Sequence, residues 1–208
     1  MARLPFPDRN EAGRRLAAKL PSLDRPIVLG LPRGGVPVAA AVARAIGAPL
    51  DVFVVRKLGV PVQPELAMGA IASGGVRVVN DDVIRQARVP AAVLEEVTAR
   101  ERVVVESRER LYRGDRPRPA LGGRDVVLVD DGLATGATMR AAVAAVQVHA
   151  PSRVVVAVPV APVETVAAFA REGIEIVCVH APAAFVAVGS WYRDFGQVDD
   201  EEVIRLIS

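Results

Sequence analysis

Lysine is nearly missing from this 208-residue chain: of 26 basic residues only Lys19 and Lys57 are lysines, and the rest are arginine. Cysteine occurs once, at Cys178, so an internal disulfide framework is excluded and a reducing, cytoplasmic setting fits. No long apolar run is present. The longest uncharged stretch, Ile176 to Tyr192, is broken by Pro182 and Gly189 and is too short to span a membrane. Residues Met1 to Asn10 carry two arginines and two prolines without the apolar stretch of a secretory signal. The formal net charge of +2 argues against a general nucleic-acid binder, which must neutralise many phosphates. Two nucleotide motifs are missing as well: there is no G-x-x-x-x-G-K-[ST], and no G-x-G-x-x-G opens a helix. His149 and His180 lack any metal-spaced partner and read as structural.

What remains is half hydrophobic, enough to fill a core for one compact α/β unit of residues 1–208. A first surface helix is predicted over Asp8–Leu20. A unit then recurs: a short Val/Ile-rich run, a glycine-bearing turn and an Ala-rich helical stretch. Predicted strands are Ile27–Leu31, Val52–Val55, Val126–Val129, Val154–Val158 and Ile174–Val179. Predicted helices are Val36–Ile46, Ala137–Val148 and Val163–Arg171. Continuously apolar strands alternating with helices imply a parallel sheet covered on both faces, with ligands outside the carboxyl ends of the strands. Two segments break the pattern. Ala70–Val79, centred on Ser73-Gly74-Gly75, reads as a β-hairpin. Pro90–Tyr112 reads as one long charged helix, and the arginine-rich part from Arg100 to Arg118 as a solvated or interface face.

The most informative stretch is Val126–Thr138, VVLVDDGLATGAT. Four apolar residues deliver the chain to the sheet edge, followed at once by Asp130 and Asp131. Gly132, Leu133, Ala134, Thr135, Gly136, Ala137 and Thr138 then lead into a helix. Glycines let backbone N–H groups converge, the helix start adds unpaired donors, and two hydroxyls complete a cradle suited to a phosphate monoester. Carboxylates beside such a cradle repel the same anion unless they bind a metal or accept hydrogen bonds from hydroxyls on the phosphate-bearing group. A ribose 5-phosphate offers both a phosphate and a vicinal diol. Helix capping alone would account for one aspartate but not for the pair with its Gly/Thr spacing.

Residues 126–138 resemble the signature of the type I phosphoribosyltransferases, and the order of elements from about Ile27 to Phe195 agrees with that fold. The resemblance implies a parallel-sheet core flanked by helices, with an inserted hairpin and long helix (about 56–122, including a lid) and a small hood (about 180–198). It implies that Asp130 and Asp131 hold the ribose hydroxyls and that the 132–138 loop holds the 5′-phosphate. The donor would be 5-phosphoribosyl-1-pyrophosphate (PRPP), with Mg2+ carried by its diphosphate, and the acceptor a nitrogen base. Where hypoxanthine–guanine members carry an aspartate, this chain has Ala134, as the adenine, orotate and uracil branches do.

Arg33, Gly34 and Gly35, in the turn after the first strand, are the candidates for the pyrophosphate. An unusual backbone geometry near Arg33-Gly34 is expected, since the family often places a non-proline cis peptide there. Arg56 and Lys57 resemble the Arg-Lys step before the mobile catalytic loop and are the candidate catalytic cations. Glu65 is either a diphosphate–metal neighbour or a plain loop carboxylate. Phe185 and Trp191, with Tyr192 and Phe195, offer a stacking wall for a base, or alternatively a satellite core or dimer contact. Family members are often dimers, which makes a homodimer an option. A regulatory protein that senses PRPP without transferring it is the alternative function.

Overall fold

The computed structural model of the chain describes residues 6–208, apart from the side chains of Pro64 and Glu65. The candidate carboxylate Glu65 therefore lies outside the described residues. The main sheet has five parallel strands: β1 (Ile27–Gly30), β2 (Leu50–Val52), β6 (Asp125–Val129), β7 (Arg153–Val160) and β8 (Glu175–His180), in the spatial order β2-β1-β6-β7-β8. A second sheet joins β3 (Val55–Val60), β4 (Gln63–Ala72) and β5 (Val76–Val79) in antiparallel order. The helices are α1 (Arg9–Ala17), α2 (Gly35–Ile46), α3 (Asp81–Gln86), α4 (Ala91–Arg113), α5 (Ala137–Gln147), α6 (Val163–Arg171) and α7 (Asp200–Ile207). No helix among the described residues is long and apolar enough to cross a membrane.

Valine and isoleucine dominate the central strands because both faces are covered. Ile27, Val28, Val126, Val127 and Leu128 have no exposed surface. On one side Leu16 of α1 and Val38 and Val42 of α2 pack on Val28, Val127 and Val129. On the other side Met139, Val143 and Val146 of α5 and Phe169 of α6 pack on Ile27, Leu29 and Leu128. The alternation of residues on β1 and β6 thus feeds two cores from the same strands. In-register pairing of Gly30 with Val129 brings the loops after these two strands side by side at the carboxyl edge.

Two expectations are corrected. The predicted strand Val52–Val55 is two strands. Buried Phe53 and Val54 form the break where the chain leaves the parallel sheet. In place of the mobile loop expected after Arg56 and Lys57 the chain forms the β3–β4 pair, with both residues inside β3 opposite Ile71 and Ala70. The long helix α4 keeps one solvated face, with Val103 and Leu111 exposed, and its other face is an interface within the chain. It packs Leu94, Val97 and Val105 against Leu58, Met68 and Ile71 of the small sheet, together with Val203 and Ile207 of α7. Helices α3 and α7 were absent from the sequence reading. The former is capped by Asn80, whose side chain accepts from Val83 N, and the latter by Asp199, which accepts from Glu202 N.

Buried charge pins α4 to both sheets. Glu109 accepts from Arg113 (2.9 Å), from Arg118 (3.0 and 2.9 Å) and from the Gly74 N–H (3.2 Å). Arg113 reaches on to Asp51 (3.0 Å) and the Val52 carbonyl (3.2 Å). Burial would push the Glu109 carboxyl up. Its guanidinium partners and the Gly74 N–H outweigh that and hold it below the usual range. Glu109→Ala leaves Arg113 with a single carboxylate partner in a dry site. Urea unfolding should show a loss of about 3 kcal/mol.

Candidate active site

The loops after β1 and β6 face each other. Leu31 N donates to the Val129 carbonyl (2.9 Å), which fixes the first turn of the β1 loop against the end of β6. Gly35 opens α2 directly after this loop, and the Pro32–Arg33 peptide is cis, one bond from the expected position. Gly34 sits so close to the acidic pair that a Cβ there would lie 2.1 Å from Asp131 Oδ2. Only a residue without a side chain lets the two loops approach this far.

The 130–138 segment is a tight turn that runs from the end of β6 into α5. Leu133 N donates to the Val160 carbonyl (2.9 Å), anchoring the loop to the neighbouring strand, and Gly132 is buried between Val160 and Val188. Gly136 adopts φ 75° at the cap of α5, a backbone state that favours glycine, and offers no side chain to the helix. The first-turn N–H groups of α5 therefore have little competition for an anion; the Thr135 hydroxyl reaches Ala137 N only at 3.5 Å. Thr135, Ala134 and Thr138 are exposed, Ala137 is half-buried, and Leu133 is tucked into the core beneath. Thr165 Oγ1 donates to the Ala134 carbonyl (2.7 Å) and Arg140 to the Thr135 carbonyl (2.8 Å), bracing the turn from outside.

A cavity of about 310 Å3 opens in front of these loops, lined by Pro32, Phe53, Arg56, Lys57, Arg108, Asp130 and Thr138 among others. The structure thus gathers Asp130, Thr138, Arg56 and Lys57 around one space, with Arg33, Gly34 and Gly35 in the adjoining turn. Arg56 is also bonded to Glu101 of α4 (2.9 Å), which aims it from behind. Arg108 was missed by the sequence reading. On an arginine-rich helix nothing in the periodicity separates it from its solvated neighbours.

Asp131 is tied to α1 and to the hood. Its Oδ2 accepts from Arg9 Nε (3.0 Å) and Nη2 (2.9 Å), while Tyr192 Oη donates to its carbonyl (2.6 Å). Asp130 Oδ1 accepts from Asp131 N (2.9 Å). Among the described residues, no side chain donates to Asp130 Oδ2 or Asp131 Oδ1, so each acid keeps an oxygen that no side chain occupies. Burial, and then the neighbouring Asp131 charge, raise the Asp130 carboxyl well above its ordinary range. Burial also raises Asp131, opposed by Arg9.

Phe185 and Trp191 are not among the residues lining the cavity. Their rings lie nearly parallel (16°) at 6.5 Å and pack in a satellite cluster with Phe6, Val160 and Tyr192. His180 leans on Trp191 at 4.8 Å. The hood is drawn there because Phe6 N donates to the Trp191 carbonyl (3.2 Å) and Arg193 N to the Phe6 carbonyl (2.9 Å). Cys178 lies half-buried on the edge strand β8, its thiol raised by burial.

This fold and this arrangement of acidic step, Gly/Thr cradle and facing glycine turn define a class, and comparison with known proteins gives the same answer. A match to the family described as phosphoribosyl transferase domain covers residues 63–168. Rv0571c of Mycobacterium tuberculosis H37Rv, provisionally named a phosphoribosyl transferase, is 50% identical over 204 residues, covering 97% of this chain and 46% of that protein. The chain thus spans about half the length of the curated relatives it matches. The crystal structure of TT1426 from Thermus thermophilus superposes with a TM-score of 0.91 at 48% identity over 97% of each chain. At the level of fold alone, a Neisseria gonorrhoeae protein crystallised with bound ppGpp is similar, with 15% identity, 96% and 90% coverage and a TM-score of 0.51. The chain belongs to the type I phosphoribosyltransferase family.

Two outcomes follow from this geometry. Asp130 has a raised carboxyl, so its contribution to stability is full below about pH 4 and is lost as pH climbs through the raised value. Asp130→Asn removes that loss. Its melting temperature should match wild type near pH 4 and exceed it at pH 8 by about 2–4 °C, the equivalent of roughly 1 kcal/mol in a chain of this size. Gly34→Ala must push Asp131 off Arg9, and thermal melts should register a cost of about 1–3 kcal/mol.

Proposed function

We propose that the chain transfers ribose 5-phosphate from PRPP to a nitrogen base and releases pyrophosphate. The observation that carries this reading is the cavity in which Asp130 and the start of α5 stand opposite Lys57, Arg56 and Arg108. A sugar phosphate needs the first pair of features, and a departing diphosphate needs the second. The 5′-phosphate would sit on the N–H groups and hydroxyls of Leu133–Thr138, with the ribose diol on the open oxygens of Asp130 and Asp131. The diphosphate would lie toward Arg33, Gly34 and Gly35. As the glycosidic C–O bond breaks, its electron pair leaves with pyrophosphate, and a ring nitrogen of the base attacks the cationic ribosyl carbon. Positioning and fixed cations facing the leaving group supply the acceleration.

Among the described residues no three His, Cys, Asp or Glu side chains converge as a metal cage. In this reading magnesium arrives as part of the substrate, held by the diphosphate oxygens. Residues 1–208 then act as one unit, with 56–122 supplying the lid and 180–198 the hood. The closing part is the β3–β4 tip, where Val62 is 93% exposed. A cytoplasmic place, where a phosphorylated sugar donor is at hand, is consistent with a single thiol.

The test is pyrophosphate release from PRPP and magnesium across a panel of nucleobases. Turnover with any base supports the transferase. Tight donor binding with silence across the panel would instead support a sensor. Lys57→Ala should lower kcat about 10²-fold while donor affinity moves less than about tenfold, since a cation facing the leaving group acts mostly on the transition state. Equal, small effects on both would remove Lys57 from the mechanism.

A further inference from the structure

Arg9 lies in the first turn of a helix whose remaining cations, Arg14 and Arg15, pair locally with Glu11 on the surface. Arg9 does the opposite. It reaches 122 positions along the chain to put Nε and Nη2 on the same oxygen of Asp131, at 3.0 and 2.9 Å. Its Nη1 donates to the Gly196 carbonyl in the hood at 2.8 Å. The guanidinium lies 3.9 Å from the centre of the Phe195 ring and 6.0 Å from that of Tyr192. Both partners of the ion pair are largely enclosed, with side chains 12% and 15% exposed. Three segments that do not otherwise share a strand or helix, α1, the acidic step and the hood, meet on one planar cation. A lysine could hold one oxygen but could not also lie along the ring and reach Gly196.

The choice of oxygen matters. With both Arg9 contacts on Oδ2, Oδ1 is left without a side-chain donor among the described residues. Gly34 lies against this carboxylate, where even a Cβ would clash with Oδ2. We infer that Arg9 is the positioning residue for ribose recognition: it fixes Asp131 so that its one open oxygen meets a sugar hydroxyl, and it couples that act to the seating of the hood. The inference rests on the functional reading above.

Charge works in the same direction. Asp130 stands beside Asp131, and an incoming sugar phosphate adds further negative charge. The other charged or titratable groups near the pair are Arg33 in the β1–α2 turn, Arg56 and Lys57 of β3, Arg108 of α4 and the buried Tyr192 of the hood. Arg9 is the cation in direct contact with the Asp131 carboxylate, whereas Arg56, Lys57 and Arg108 line the cavity in front of Asp130.

The experiment is calorimetric titration of the intact chain with three probes: magnesium–PRPP, ribose 5-phosphate and inorganic pyrophosphate. Arg9→Gln should bind the two ribose-bearing probes about tenfold more weakly, the size of effect for one lost charge-assisted contact, while pyrophosphate stays within about twofold. Arg9→Lys should recover part of the ribose 5-phosphate affinity. The acid-side loss of PRPP affinity should also move to higher pH in Arg9→Gln, because Asp131 then keeps its proton longer. Equal weakening of all three probes would reduce Arg9 to a structural staple, and unchanged ribose 5-phosphate affinity would also overturn the inference. If Arg9→Gln does not fold, Arg9→Lys decides: wild-type affinity for ribose 5-phosphate overturns it, and a selective loss supports it. A wild-type chain that binds none of the ribose-bearing probes sinks the parent reading and this one together, an outcome distinct from a wild type that binds and a variant that binds equally.

Discussion

Two carboxylates side by side at the end of a buried strand form an arrangement that water would stabilise and a protein interior does not. Asp130 and Asp131 are pressed together by the turn after β6, and each is raised by its own burial. Much of what surrounds them moderates that conflict. The Asp131 N–H turns back onto Asp130, Arg9 neutralises Asp131, and the facing turn contributes glycines in place of side chains. What moderation leaves is an oxygen on each acid that no side chain among the described residues occupies. In the function proposed above, a ligand with two adjacent hydroxyls and a phosphate would answer the acids and the neighbouring helix start together.

The scaffold holds this step through elements remote from it in sequence. Parallel pairing of β1 with β6 sets the two loops in register, and the Leu31 and Leu133 backbone bonds to β6 and β7 fix their first residues. The cations arrive from a different layer. Arg56 and Lys57 ride on β3 and Arg108 on α4, and both elements belong to the core shared with α7. The ion network of Glu109, Arg113, Arg118 and Asp51 locks that layer to the end of the parallel sheet. Movement of the small sheet would therefore carry Arg56 and Lys57 with it, whereas the 130–138 turn stays with the main sheet.

Much of the architecture was legible because it has local causes. The strands Ile27–Gly30, Asp125–Val129 and Glu175–His180 follow from continuous apolar runs, α2 from a run that ends at Gly47 in a left-handed cap, and the β4–β5 turn from Ser73-Gly74-Gly75. The cradle was legible for the same reason, since its glycine, hydroxyls and acids are contiguous. Errors fell where local pattern carries no address. Val52–Val55 is uniformly apolar, so nothing in it announces that Phe53 and Val54 carry the chain from one sheet to the other. The α4 arginines look alike in sequence although Arg113 is buried and Arg108 faces the cavity. Of the roles open to the hood aromatics, Trp191 and Phe185 take the satellite core, with Phe6.

By itself the sequence determined the class of fold and the local shape of the 130–138 turn, because hydrophobic periodicity and a contiguous Gly/Thr/Asp turn act over a few residues through backbone geometry. Only the tertiary structure decided which charges meet: Arg9 with Asp131 across 122 positions, Arg56 with Glu101, Arg113 with Asp51. Such pairings depend on how helices and sheets are layered. A Coulomb interaction between groups distant in sequence exists only after packing has excluded water and brought them to about 3 Å.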